Sequence, residues 1–417
     1  RERCYDCRKL EMFQKFGEIF SKIRTHGIVK SFKIAIKKSG LNSLYYRIPW
    51  PLKFRFYHNL FRMVFFAKCD KKRILGIWDL YDLPWSVGDP LAFLEYLSIL
   101  KIKFNVEAID ICVVYDNDNP LGIRSGGISN INPENVQDYM YDYLPLFSLC
   151  HHIGSVYQFR SRDEFYRFIR INAERYIVYP RLTHQLSGVY NYSYSTAESS
   201  DIRKIMDFYA DHGYIPYLRV GNRDLSWAYW FYLSNLKEES VPIVLSLKQT
   251  SHNIERNAAP EDWLAFIDKC ATAFQNVTFV IIGLREETFD GLRGRSNVIV
   301  AKDFGTSVIE DIALIRASFM YMGTNSGINV IAFFSDLPYL VYQFPTKSLE
   351  DIGLKPNEMF NFTTNKQKIF STDVFVTSEL LFNEFAELYS RLDINEWRNK
   401  VLKNARNKHS HPTAKVV

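Results

Sequence analysis

From residue 73 onward the chain alternates short runs rich in Ile, Val, Leu and Tyr with longer stretches whose apolar residues recur at helical spacing. A helix between two strands carries the chain back across the sheet, so such strands pair in parallel. The first series reads RILGIWDL (strand), DPLAFLEYLSILK (helix), AIDICVVY (strand), SRDEFYRFIRINA (helix) and RYIVYP (strand). SGVYNYSYSTAESS, rich in Tyr and Ser, then reads as a loop before another helix. The second series runs VPIVLSLK (strand), APEDWLAFIDKCATAF (helix), NVTFVIIG and NVIVA (strands), SVIEDIALIRA (helix), SFMYMG (strand), GINVIAFF (helix) and PYLVYQ (strand). Pro260 suits a first helical position, and Glu261 and Asp262 suit the positive first turn. At 417 residues the chain exceeds what one core normally organises. The expectation is an α/β protein with two domains in tandem, 73–225 and 226–385, preceded by an extension over 1–72 and followed by a basic helix and tail over 386–417.

The extension is a separate electrostatic object. Residues 1–75 carry 19 Lys/Arg against 5 Asp/Glu, a net of +14, leaving −8 for the rest of a chain whose total is +6. Phe13, Phe16, Phe20 and Ile23 recur at helical spacing among the cations, and LYYRIPWPLKFRFYHNLFRMVFFAK then mixes rings with basic residues. Two readings stand: a helical cap on the first domain with a solvated basic face, or a patch that meets an anionic membrane surface. No apolar run reaches the roughly 20 residues of a bilayer span, so the second reading means peripheral attachment of a cytoplasmic protein. The six cysteines read as reduced thiols, and Cys4 and Cys7 form a lone C-x-x-C without a second pair at zinc-finger spacing.

Ser86-Val87-Gly88-Asp89-Pro90-Leu91 follows the first strand. Gly88 permits a tight turn, Asp89 is a good N-cap and Pro90 fits the first helical position. An Asp at the carboxyl end of a parallel strand also faces the crevice where open α/β sheets bind ligands, so Asp89 is a candidate general base. In ASFMYMGTNSGINVIAFFSDLP, a strand runs into Gly323-Thr324-Asn325-Ser326-Gly327 and restarts as a helix. Free backbone N–H groups in such a turn favour an anion, usually phosphate. In LSLKQTSHNIERN, Lys248 and Arg256 are placed to neutralise a diphosphate leaving group; His252 reads as a loop residue.

The first turn resembles the S-x-G-D-x-L turn of bacterial heptosyltransferases and their GT-B glycosyltransferase relatives. The second resembles that family's G-x-[DN]-[ST]-G-x-x-H signature and its later Pro. Gly323, Asn325, Ser326, Gly327 and Pro338 fall in register, but Val330 stands where the family usually has His, and Asn325 replaces the common Asp. The Lys248 stretch is similar to the basic loop of GT-B sugar-nucleotide enzymes, including fucosyltransferase-like ones with H-x-R at this strand end; Lys in place of that Arg weakens bidentate phosphate recognition. The resemblance implies two Rossmann-like domains of GT-B type facing a cleft. The second domain would hold a nucleotide-sugar donor through Lys248, Arg256, Gly323, Thr324, Asn325, Ser326 and Gly327. The first would receive a glycan or lipid-linked glycan beside Ser86 and Gly88, with Asp89 taking the acceptor proton. It further implies inversion without a metal or other cofactor.

Other readings remain open on the residues. Asp116-Asn117-Asp118 after an apolar strand resembles the D-x-D of GT-A glycosyltransferases, which holds a metal, although Asn, Asp and Pro are also ordinary turn residues. His151 and His152 are adjacent, and in a helix or strand adjacent side chains point apart, against a shared metal. No G-x-x-x-x-G-K-[ST], H-E-x-x-H or G-x-S-x-G occurs, which removes the commonest ATPase, zinc-protease and α/β-hydrolase readings. Nucleic acid is not the expected partner. A sugar- or nucleotide-binding scaffold that has lost catalysis is the non-enzymatic alternative.

Overall fold

The computed structural model describes residues 73–80, 86–117, 131–172, 175–180, 182–184, 190–192, 197–251 and 254–406. The basic extension, with Cys4 and Cys7, therefore lies outside the described residues, as do Asp118 and His252.

In chain order the first half comprises β1 (Arg73–Asp79), α1 (Gly88–Phe104), β2 (Ala108–Val114), α2 (Val136–Tyr143), β3 (Ile153–Phe159), α3 (Arg162–Asn172), β4 (Tyr176–Tyr179), the short β5 (Leu182–His184) and β6 (Tyr190–Tyr192), and α4 (Ala197–His212). There follow α5 (Asn222–Asn235), β7 (Val241–Ser246), α6 (Pro260–Ala273), β8 (Val277–Ile282), β9 (Val298–Val300), α7 (Val308–Ala317), β10 (Met320–Thr324), α8 (Val330–Phe333), β11 (Tyr339–Phe344), α9 (Thr346–Asp351), β12 (Gln367–Ser371), α10 (Ser378–Ser390) and α11 (Ile394–Arg406).

Two all-parallel sheets result, with strand orders β3-β2-β1-β4 and β12-β11-β10-β7-β8-β9. The α/β expectation with two sheets in tandem holds. In each sheet the first strand has neighbours reached in opposite directions, so a switch point lies between β1 and β4 and another between β7 and β10. Ligands of open α/β sheets bind outside the carboxyl ends of strands at such points. The central strands β7, β8 and β10 are buried throughout, as continuous apolar runs require of a sheet covered on both faces. One apolar core runs from β1 and α1 through α4, α5 and α7 to α8, joining the two sheets.

Several elements were not anticipated. Strand β3 alternates half-buried and exposed residues and contains Gly154 and Ser155, because it is an edge strand with one wet face. Helices α2, α5, α9 and α10 and strand β12 were likewise unread. Position 225 falls inside α5, whose Tyr232 hydroxyl donates to the Leu314 carbonyl of α7 at 2.6 Å, so this helix packs with the second sheet. Position 385 falls inside α10, which packs on α6. Pro260 does open α6, with Glu261 and Asp262 in its first turn.

Candidate functional site

The first turn departs from expectation at its cap. The structure places Val87 at the N-cap position and Asp89 within the first helical turn, not at the cap itself. The capping side chain is Ser86: the Asp89 backbone N–H donates to its Oγ at 3.1 Å, and that hydroxyl donates to Asp89 Oδ2. The pair is a local side-chain tie across the start of the helix, since Asp89 accepts from the Ser86 hydroxyl and not from a backbone N–H. It holds the Asp89 carboxylate at the mouth of the β1–β4 switch point. Tyr143 of α2 lies close by; burial and then the Asp89 charge push its phenol well above the usual range.

The second turn hangs from β10 by buried side chains. Tyr321 donates its hydroxyl to Asn329 Oδ1, and Ser326 Oγ donates to the same oxygen at 2.9 Å. Asn329 Nδ2 donates to the Thr324 carbonyl at 3.1 Å. That donation fixes the amide orientation, since the flipped rotamer would set two oxygens against each other. The Ser326 proton is thus committed inward, and Ser246 Oγ lies 3.3 Å from Ser326 Oγ. The Lys248 N–H donates to Thr324 Oγ1 at 2.8 Å, and the Asn325 N–H donates to the Tyr342 carbonyl at 2.8 Å. A Cβ on Gly323 would lie 2.3 Å from the Ser246 carbonyl oxygen, so glycine there is demanded by the approach of β7. Val330, at the position of the family histidine, is 2% exposed and belongs to the apolar core.

Lys248 reaches the same edge of the sheet, where its Nζ donates to Glu287 Oε1 at 2.6 Å. Arg256 ends a 3-10 turn, Ile254–Arg256, that packs on β11, and its Nε is buried without a hydrogen-bond partner among the described residues. Lys248, Arg256 and the turn 323–327 therefore gather along the carboxyl edge formed by β7, β10 and β11.

The two turns meet. A Cβ built on Gly88 would lie 2.8 Å from Gly327 Cα, and one built on Gly327 would lie 2.7 Å from the Gly88 nitrogen. Backbone approaches backbone here, and only glycine leaves room on both sides. Ser86, Gly88 and Asp89 are brought into one site with Asn325, Ser326 and Gly327, each group at the switch point of its own sheet.

The other candidates fall elsewhere. Asp116 follows β2, and among the described residues no group of three or more His, Cys, Asp or Glu is arranged to hold a metal ion. The rings of His151 and His152 do not point apart: they occupy a turn, and their centroids lie 3.6 Å apart. They precede β3, at the amino edge of the first sheet, away from the two turns. Burial, then the neighbouring His151, Lys101 and Arg219 charges, push His152 down to about 4.

Sequence reasoning missed Tyr321, Asn329, Ser246 and Glu287. The spacing Ser326-x-x-Asn329 was a signal for a local side-chain tie. Nothing local pointed to Glu287, which pairs with Lys248 across 39 residues.

No protein-family model matches the chain, and no curated protein matches it. Similar solved structures include the ADP-heptose LPS heptosyltransferase II of E. coli, with 12% identity over 76% of this chain and 98% of that one and a TM-score of 0.46. A glycosyl transferase family 9 protein from Veillonella parvula gives 11% identity over 76% and 97%, with a TM-score of 0.48. A protein assigned as a UDP-N-acetylglucosamine 2-epimerase from Listeria monocytogenes gives 10% identity over 80% and 91%, with a TM-score of 0.38. With identities this low and TM-scores below 0.5, the functional reading rests on the chain's own residues.

Proposed function

We propose that the chain is a glycosyltransferase that moves a sugar from a nucleotide-sugar donor to a hydroxyl of a glycan or lipid-linked glycan, with inversion and without a metal. The observation that carries this reading is the Gly88–Gly327 contact, which supports pairing the Asp89 carboxylate at one switch point with the glycine turn at the other, read here as the diphosphate site. Asp89 takes the proton of the acceptor hydroxyl as that oxygen attacks the anomeric carbon, either through its free oxygen or after release from Ser86. The diphosphate leaves from the opposite face of the sugar. Its developing charge meets Lys248, Arg256 and the main-chain N–H groups of Ser326 and Gly327, since the Asn325 N–H is already held by the Tyr342 carbonyl; this set of cations and donors supports departure without a metal. Glu287 holds the Lys248 ammonium at the sheet edge until a diphosphate shares it. The net +14 of residues 1–75 supports an acceptor carried at an anionic membrane surface.

Thermal unfolding with a panel of nucleotide sugars tests the reading, since a ligand of the native state raises the Tm. One or more donors should stabilise the protein, and turnover with that donor should survive EDTA. Turnover abolished by chelation and restored by Mn²⁺ would move the chemistry to Asp116 and Asp118. A protein stabilised by no nucleotide sugar would remove the donor site.

A further inference from the structure

Four described residues other than glycine have a positive φ, and Gln343, at 56°, is the one among them that lies inside a strand. Asn105, Glu239 and Asn357 occupy a helix end or turns, where such backbone is ordinary. A left-handed glutamine costs free energy that glycine in its place would not. The cause is visible in the ladder. Val341 pairs with Ile369 and Phe344 pairs with Ser371, so β11 holds one residue more than β12 over this interval. Bulges of this kind re-aim a side chain beside a site.

The position of the bulge is specific. It directly follows Tyr342, whose carbonyl accepts the Asn325 N–H of the second turn at 2.8 Å, so the strained residue is joined to that turn through one hydrogen bond. Gln343 Oε1 is buried without a hydrogen-bond partner among the described residues. The 3-10 turn that packs on β11 contributes Arg256, whose Nε is also buried without one. Among the described residues, an unanswered acceptor and an unanswered donor thus lie on two elements in contact, at the edge of the sheet where ligands bind. An occupant that answered both would accept from the guanidinium and donate to the amide oxygen. A sugar hydroxyl does both; an ionised phosphate oxygen only accepts.

We propose that the β11 bulge is a recognition element in which Gln343, with Arg256, reads a hydroxyl of the transferred sugar beside the phosphate turn, an inference that rests on the donor site proposed above. It assigns Gln343 and the Arg256 Nε–H to discrimination among sugars, with the diphosphate held by Lys248, the turn and the remaining N–H groups of Arg256. Strain that persists at a site is accounted for when the strained residue serves the ligand.

Calorimetry on the full chain tests this with UDP, GDP and ADP, each beside a nucleotide sugar of the same base: UDP-glucose, GDP-mannose and ADP-glucose. For the pair that the wild type binds, Gln343→Gly should weaken the nucleotide sugar about tenfold, the worth of one hydrogen bond, and change the nucleoside diphosphate less than about twofold. The same variant should raise the Tm by about 2 °C as the strain is released. Gln343→Asn, which tolerates the left-handed region but carries a shorter amide, should lose the sugar preference while staying folded. Unchanged preference in both variants would overturn the subsite and leave the donor reading standing, with water answering both atoms. A lower Tm with both ligands weakened equally would make Gln343 a structural residue and also overturn it. A wild type that binds none of the six ligands would remove the donor site and the subsite together.

Discussion

In the first turn, among the described residues, the Ser86 and Asp89 side chains bond to each other, three residues apart, and the 17-residue helix α1 carries the geometry onward. In the second, three residues of 3-10 helix and four of α8 follow the turn before Phe334 ends them, too few to hold shape by helical cooperativity alone. Strand residues do the holding instead: Tyr321 of β10, Ser246 of β7 and the Tyr342 carbonyl of β11. One strand-to-helix plan is thus rigid for two reasons. A helix that supports its own first turn tolerates loss of a capping side chain, whereas a turn slung from buried polar groups depends on each of them.

The largest effects are expected where the turns touch. Gly88→Ala or Gly327→Ala sets a methyl 2.8 or 2.7 Å from backbone atoms of the other turn, and backbone cannot retreat as a side chain can. Each should destabilise by about 1–3 kcal/mol and lower turnover by about 10²-fold by displacing the reacting groups. The double variant should cost little more than the worse single one, since both force open the same contact. Additive losses of Tm would show that neither turn leans on the other.

Next comes the difference between a base and a cap. Asp89→Asn should lower kcat by about 10²-fold or more with nucleoside diphosphate affinity unchanged. Ser86→Ala keeps the carboxylate but removes both Ser86–Asp89 hydrogen bonds and should cost about 1 kcal/mol of stability, with kcat within a few-fold. Equal kcat losses in the two variants would reduce Asp89 to helix capping. In the second turn, Tyr321→Phe removes one donor to Asn329 and should cost about 1–2 kcal/mol together with several-fold weaker nucleoside diphosphate binding. A Tyr321→Phe protein that binds as tightly as Ser86→Ala would erase the distinction between the turns.

That distinction also explains what was legible in the sequence. Strand-to-helix alternation is local, so β1, α1, β2, β7, β10 and both glycine turns could be read directly. Gly88 and Gly327 were singled out for turn geometry and for resemblance; the reason only glycine fits is a contact across more than two hundred residues, which no local pattern records. The Asn329 network is half local, through Ser326, and half tertiary, through Tyr321 and Ser246. Edge strands β3 and β12 escaped because a strand with one wet face or few apolar residues carries a weak period. Gln343 was read as the last residue of an ordinary strand, since a bulge is a property of two strands.

The smallest effect contrasts the turns with the opposite edge of the first sheet. His152 is held down to about 4 by burial first, then by His151, Lys101 and Arg219, from an ordinary value of 6.5. The unfolded chain therefore takes up a proton below 6.5 that the folded protein refuses until about 4. Stability from this residue is complete above the upper value and is lost as pH falls through that window. His152→Gln should flatten the acid side of a Tm–pH curve slightly, because the ring is partly exposed and solvent screens it. Glu95 of α1 gives the opposite limb. Its carboxyl is fully buried without a hydrogen-bond partner among the described residues, and burial pushes it well above its ordinary 4.5. Folding then keeps a proton that the unfolded chain releases, so stability is complete below 4.5 and falls as pH rises. Glu95→Met should accordingly raise the Tm at pH 8 more than at pH 5. Neither variant changes a residue of the two turns, so nucleoside diphosphate affinity at neutral pH should stay as in the wild type. If His152→Gln weakened that binding as much as Tyr321→Phe does, the carboxyl edges would lose their standing as the site.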